Sequence, residues 1–389
     1  MDCACNPVCV SGVRFNRSDI SLEHTRNVRK GPAVQQCTVG NLYGRVINIY
    51  TNKDLKTMQS WPLERKIRVT QTKIIEWYLH YKGKVAVAFS GGVDSTVLLD
   101  LTRRIYPEVE AVFSNTTMEF PEITAFVKSF DNVKIVTPKM NYTQVIQKYG
   151  YPVISKEISN YIHRMRSDAR CMSAYNNQVH LKSAEWLKEN IQDIPFSFMK
   201  CMFGFSKKMV DDFIHTGIMP KSKFCIPKQW HYLLGAPFEI SDRCCYHLKK
   251  APVKKYSAET GNKMIVGTMA EESLLRKQIW MQQGCNAFDA AEPKSTPISF
   301  WTHQDILQYL KLTQIPYCSL YGDILALPNG KLKFSGYQRT GCAGCLYGCQ
   351  YEQTPNRLQK LKITHPKMYR YFFEKLDYAT VCDFIGIPY

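Results

Sequence analysis

Apolar residues in this chain fall into short solid runs separated by amphipathic stretches. Val85–Phe89 is an unbroken apolar run, too short for a buried helix and rich in valine, which predicts a strand covered on both faces. Ser95–Ile105 changes to helical spacing, Val109–Ser114 reads as strand, Pro121–Phe130 as helix and Val133–Val136 as strand again. Upstream, the apolar positions between Asp54 and His80 (Leu55, Met58, Trp61, Ile67, Ile74 and Tyr78 among them) predict one or two helices leading into the first strand. Far downstream, Met264–Thr268 is a further apolar strand. Thr302 with Asp305 three residues on is a helix-capping pattern that opens a helix through Leu312. Strands alternating with helices predict an α/β fold with a doubly wound parallel sheet.

The pattern divides the chain unevenly. Residues 1–52 have no sustained period and are expected to be a loosely ordered extension. Residues 53–330 carry the α/β domain, interrupted at about 142–235 by a helical, aromatic and basic insertion. Residues 331–389 form a cysteine-rich basic segment.

Composition adds partners and compartment. Hydrophobic residues make up 45% of the 389 residues, enough for a real core. The net charge of +18 is concentrated: residues 139–263 hold 20 Lys/Arg against 10 Asp/Glu, and residues 331–375 hold 9 against 2. Two basic segments suit a polyanion such as tRNA or DNA, although a solvated basic face or a nucleotide pocket would show the same charge. No apolar run approaches a membrane span, and no apolar stretch follows Asp2 as a secretory signal would require, so a cytoplasmic protein is expected. In a reducing compartment, 15 cysteines point to thiols, metal ligands or a cluster rather than to disulfides. Cys3, Cys5, Cys9 and Cys37 match no familiar zinc spacing.

The most informative segment joins the first strand to the first domain helix. In Phe89-Ser90-Gly91-Gly92-Val93-Asp94-Ser95, glycines let the backbone curl around an anion, and a helix N-terminus supplies free N–H groups. The segment has neither the spacing nor the lysine of the common kinase and GTPase phosphate loop, and it is not the dinucleotide fingerprint. The bare string would also serve as an ordinary strand-to-helix turn, but the flanking strand and helix favour phosphate. It resembles the Ser-Gly-Gly-x-Asp-Ser pyrophosphate loop (PP-loop) of enzymes that split ATP into AMP and pyrophosphate. Ligands of such sheets sit beyond the carboxyl ends of the strands, which would gather this loop, Asn115–Phe120 and Gly267–Ser273 on one rim.

Several segments in order resemble the phosphoadenylyl-sulfate reductase family of the adenine-nucleotide alpha hydrolase superfamily. Ser114-Asn-Thr-Thr-Met-Glu-Phe-Pro-Glu122 resembles its Asp-Thr-Gly-x-Glu-Phe-Pro-Glu. Asp242-Arg-Cys-Cys-Tyr-His-Leu-Lys-Lys-Ala-Pro252 resembles its Cys-Cys-x-x-x-Lys-x-x-Pro. Gly267-Thr-Met-Ala-Glu-Glu-Ser-Leu-Leu-Arg276 resembles its Gly-x-Arg-x-x-Glu-Ser-x-x-Arg, with Met269 in place of the usual arginine. Arg339-Thr-Gly-Cys-Ala-Gly-Cys-Leu-Tyr-Gly-Cys349 resembles the Gly-Cys-x-x-Cys that closes an iron–sulfur site. The pattern spans about residues 54–389 and is most similar to bacteriophage and Firmicutes members. The resemblance implies an adenine-nucleotide site on Phe89, Ser90, Gly91, Gly92, Asp94, Ser95, Asn115, Thr116, Glu119, Phe120, Gly267, Glu272 and Ser273. It implies phosphate or catalytic roles for Asp94, Ser95, Lys249 and Arg276, with Asp94 holding Mg²⁺ beside ATP. It implies a 4Fe–4S cluster on Cys244, Cys245, Cys342 and Cys345, with Cys349 as a substitute ligand. A zinc site or plain buried thiols remain alternatives.

Two departures bear on the chemistry. Family reductases attack sulfate with a cysteine in a Glu-Cys-Gly-Leu-His tail, whereas Cys382 here lies among Val381, Phe384 and Ile385. Their loops are usually degenerate, and this one is complete. Both favour ATP, and so an ATP-dependent sulfur transfer to, or modification of, a nucleic acid or nucleotide, with a cysteine desulfurase or other persulfide donor. The alternatives are a reductase of phosphoadenylyl or adenylyl sulfate, and a non-catalytic module that binds nucleotide and cluster.

Overall fold

Val85, Ala86 and Val87 are buried on both faces of a sheet, as their uninterrupted apolar run requires. In the computed structural model, which describes residues 49–389, they belong to the compact unit Asn48–Tyr389. The expectations placed on residues 1–48, including Cys3, Cys5, Cys9 and Cys37, lie outside the described residues.

The strands in chain order are β1 (Val85–Ala88), β2 (Glu110–Ser114), β3 (Val133–Val136), β4 (Val153–Ile154), β5 (Lys263–Val266), β6 (Asn286–Ala287), β7 (Lys294–Ser295), β8 (Ile324–Ala326), β9 (Leu332–Phe334) and β10 (Leu346–Tyr347). Six form the main sheet in the order β3-β2-β1-β5-β7-β6. Every pairing in it is parallel except β6 with β7. Val87 lies opposite Ala111 on one side and Ile265 on the other. The chain runs outward from β1 to β3, then returns to place β5 on the opposite side of β1. That reversal opens a crevice at the carboxyl ends of β1 and β5, the position where such sheets bind ligands.

Helices cover both faces, as the α/β doubly wound reading predicts. Val85, Val87, Ala111, Phe113 and Ile265 face the large core that holds Ile74 and Trp77 of α2 (Leu63–His80; α1 is Asn52–Gln59) and Val97, Leu98 and Leu101 of α3 (Val93–Arg103). Ala86, Val112 and Met264 face the opposite way, onto Tyr256 of the helix Ala251–Thr260. Behind the sheet, Lys66 of α2 donates to Asp305 at 2.6 Å, and both side chains are buried. Asp305 also completes the predicted capping box with Thr302 at the start of His303–Thr313.

Some boundaries move. The helix after the loop begins at Val93, two residues before the expected start, because the extended Gly92 acts as its N-cap. Asp94 and Ser95 therefore sit in the first helical turn. The insertion is helical from α5 (Tyr142–Tyr149) and α6 (Lys156–Arg166) onward. Its short β4 pairs with β10, which attaches the cysteine-rich C-terminal segment to it. No helix among the described residues is long and apolar enough to cross a membrane.

Candidate functional site

Gly91 takes the left-handed conformation at φ +72°, and a Cβ there would lie 2.9 Å from both Ile123 and Val127 of α4 (Pro121–Lys128). Only glycine suits that turn. The loop is stitched from within: Ser90 N–H donates to Ser95 Oγ at 3.1 Å, and Ser95 Oγ donates to Gly92 O at 2.8 Å. The Val93 N–H donates to the Tyr321 hydroxyl at 3.2 Å. The amides of Gly91, Asp94 and Ser95 make no hydrogen bond among the described residues, so they remain available at the positive end of α3. Phe89 lies beneath the loop, its buried ring 5.1 Å from that of Phe130.

Asp94 is the loop's anomaly. Its Oδ1 is buried without a hydrogen-bond partner. Burial pushes its pKa up to about 6, with Arg339 and Arg276 pulling it back and Glu271 adding to the rise. The chain leaving β5 passes close to the loop backbone: a Cβ on Gly267 would stand 3.2 Å from the Asp94 main-chain carbonyl oxygen. A buried carboxylate oxygen lacking a partner fits an Mg²⁺ ligand, since that ion takes one or two carboxylates together with phosphate oxygens.

The other two rim segments mainly build themselves. Thr116 N–H and Oγ1 donate to Glu119 at 3.0 and 2.7 Å, and Asn115 Oδ1 accepts from Thr117 N–H at 3.0 Å. Phe120 stacks its edge against Tyr337 and His365, each 5.0 Å away. Glu272 accepts from the Met269 N–H at 2.8 Å and pairs with Arg276, while Ser273 caps the helix Leu274–Gln283. Arg276 bears electrostatically on Asp94 as well, which ties the segment after β5 to the loop.

A second centre lies alongside. Cys244 and Cys245 are adjacent on the short helix Arg243–Cys245, which runs into a π-helical turn, Tyr246–Lys250. Ser114 at the end of β2 anchors that turn by donating to Leu248 O at 2.8 Å. Cys342 and Cys345 lie on a tight turn closed by Cys345 N–H to Cys342 O at 3.0 Å, and Ala343 N–H donates to Met118 O at 2.9 Å. The four thiols act on one another electrostatically. Beside Cys244, the Cys245 thiol is held below its ordinary value, with Lys156 and Lys249 helping and burial opposing. Burial raises Cys345 to about 12. Lys249 stands among them, its pKa raised foremost by Cys342 and then by Cys245 and Glu119. Tyr347 buries a hydroxyl that has no partner, in the field of Cys244, Cys245 and Cys345.

Thiols around an unused donor suit an iron–sulfur cluster, whose sulfurs accept hydrogen bonds. No three His, Cys, Asp or Glu side chains among the described residues are gathered tightly enough to hold a single metal ion. Cys349 is buried beside Arg357, the same guanidinium that acts on Cys345 and donates to its carbonyl oxygen at 3.0 Å. Cys382 is fully buried in the helix Tyr378–Ile385. Lys250 faces other lysines, Lys156, Lys294 and Lys254. A cavity of about 480 Å³ in the insertion, lined by Arg170, Asn177, Trp186, Asn190 and Asp193 among others, includes no loop or cysteine-centre residue.

Sequence reading missed three contributors to the loop. Tyr321, Thr340 and Arg339 arrive from the C-terminal part of the chain, with Tyr321 OH and Thr340 Oγ1 2.5 Å apart. Arg339 and Thr340 stood within a quoted motif, but no local signal places them beside residues 90–95.

The profile of the phosphoadenosine phosphosulfate reductase domain matches residues 84–179 and 224–347, more than half of the chain. The chain belongs to this family. The gap in the match, 180–223, falls inside the helical insertion, and the matched parts contain the loop, both rim segments and all four converging cysteines. No curated protein matches the sequence. Among solved structures, phosphoadenylyl-sulfate (PAPS) reductase from Candida auris, in a phosphate complex, is 12% identical with a TM-score of 0.34, covering 75% of this chain and 98% of that one. The family is one of nucleotide-binding PP-loop enzymes.

Proposed function

We propose that this PP-loop enzyme splits ATP into AMP and pyrophosphate, and uses the adenylate to pass sulfur to a nucleic-acid or nucleotide acceptor. The observation carrying this reading is the complete loop: three free amides at the start of α3 beside a buried, unpartnered Asp94 oxygen. The amides of Gly91, Asp94 and Ser95 would hold the β,γ-phosphates, and the Ser90 and Ser95 hydroxyls would turn toward them. Asp94 would hold Mg²⁺, which supplies charge neutralisation on the phosphate oxygens. Arg276 would balance charge as pyrophosphate departs. An acceptor oxygen attacks the α-phosphorus and pyrophosphate leaves; the outer sulfur of a persulfide donor then displaces AMP to give a mixed disulfide, and a second thiol of the donor attacks the donor's inner sulfur, releasing the thiolated acceptor and leaving a disulfide on the donor.

Cys244, Cys245, Cys342 and Cys345 would hold a 4Fe–4S cluster, which supplies a soft binding point for sulfur. Lys249, among those thiols and near Glu119, would balance their charge and orient the acceptor's side of the site. Exposed Lys360, Lys362, Lys367 and Arg370 would bear on a nucleic-acid backbone. Arg357 is already engaged, donating to Glu352 and to Cys345 O.

The family match supports a second reading, reduction of phosphoadenylyl or adenylyl sulfate to sulfite. Complete burial of Cys382 weighs against it, because that thiol would have to reach the sulfur. Mass spectrometry of nucleosides from cells with and without the protein tests the first reading. A sulfur-bearing nucleoside present only with the protein supports it. Sulfite release from a sulfonucleotide, lost in Cys382→Ser, establishes the second.

A further inference from the structure

Arg339 stands three positions before Cys342, yet its guanidinium acts on the nucleotide loop. It lowers the pKa of Asp94, and it also bears on Arg276 and His303 at the same rim. The backbone geometry agrees. Thr340 Oγ1 lies 2.5 Å from the Tyr321 hydroxyl, which accepts the Val93 N–H at 3.2 Å. A Cβ built on Gly92 would be 3.5 Å from Thr340 Oγ1. The strap that carries Cys342 and Cys345 therefore begins against the loop.

Arg339 itself is exposed and makes no hydrogen bond or ion pair among the described residues. An unpaired guanidinium near unfilled amides and beside a second arginine is an arrangement that lacks an anion. Its planar fork matches two phosphate oxygens at once, which a lysine does not.

We propose that Arg339 is a phosphate clamp of the nucleotide site, delivered to the loop by the cysteine strap and acting opposite Arg276. The proposal rests on the reading that the loop binds nucleotide phosphates. It gives the strap two ends, one for phosphate and one for thiol chemistry, so the correctly placed strap becomes a condition for tight nucleotide binding.

Calorimetric titration of the full chain with Mg²⁺ and pyrophosphate, ATP or adenosine tests it. Arg339→Ala is expected to weaken pyrophosphate and ATP about 10- to 100-fold, the scale of a charge-assisted hydrogen bond, and to leave adenosine unchanged. Arg339→Lys should recover only part of the loss. Lys333→Ala, which removes an equal exposed charge from the same segment, should bind like the parent. Because Arg339 carries no structural bond, its urea midpoint should not move. Pyrophosphate binding within twofold of the parent in Arg339→Ala overturns the clamp and leaves the nucleotide reading intact. An equal loss for adenosine overturns it too, by showing a collapsed site. A parent protein that binds neither pyrophosphate nor ATP removes the nucleotide reading, and the clamp with it.

Discussion

Asp94→Asn should make the free protein more stable while removing its activity. In an unfolded chain the carboxyl loses its proton near 3.8, but in the folded protein burial delays that loss to about 6. Between those values the folded state holds the extra proton, so stability falls as pH rises, and above about 6 the deficit is constant. The difference of about 2.2 pH units, at about 1.36 kcal/mol each, sets the deficit at about 3 kcal/mol. Asparagine does not titrate, so the variant escapes it. Urea unfolding at pH 8 should therefore favour Asp94→Asn by about 2–3 kcal/mol, and the gap should close as pH falls toward 4. Mg²⁺ with ATP should stabilise the parent far more than the variant, because only the parent keeps the metal-binding carboxylate. A variant less stable than the parent at pH 8, or a gap independent of pH, refutes the claim that Asp94 is a destabilising charge kept for a ligand.

Gly91→Ala combines a left-handed residue with a Cβ 2.9 Å from two buried methyl groups, and should cost about 2–5 kcal/mol in urea unfolding along with pyrophosphate binding. Lys66→Met leaves Asp305 buried without its cation and should cost about 3–5 kcal/mol, most of it recovered in Lys66→Met/Asp305→Asn. Protein purified without oxygen should absorb broadly in the visible and contain iron and sulfide in equal amounts, both lost in Cys342→Ser. A colourless protein with stoichiometric zinc would rule out the cluster.

Legibility from sequence tracked the range of the interactions. The β1 run and the glycine loop are local signals, because a valine-rich core strand and a left-handed turn each constrain their own residues. Predicted and observed bounds agree at Val133–Val136 and differ by one residue at β2. The two-residue strands β6 and β7 are too short to leave a period, and their pairing is set by the sheet edge they meet. The start of α3 was misplaced because Gly92, lacking a capping side chain, still serves as the N-cap. At the site, motif spacing singled out Cys244, Cys245, Cys342 and Cys345, which act on one another electrostatically although about 100 residues separate the two pairs. Tyr321 and Thr340 were invisible because their contacts with the loop span more than 200 residues of sequence.

Incubating the purified protein with Mg²⁺, nucleic acid, a persulfide donor and ATP labelled at the α-phosphorus addresses the central claim most directly. The account predicts labelled AMP with one pyrophosphate for each ATP consumed, and no such products from Asp94→Asn. ATP left intact, or cut to ADP and phosphate, while a sulfonucleotide is reduced to sulfite would contradict it.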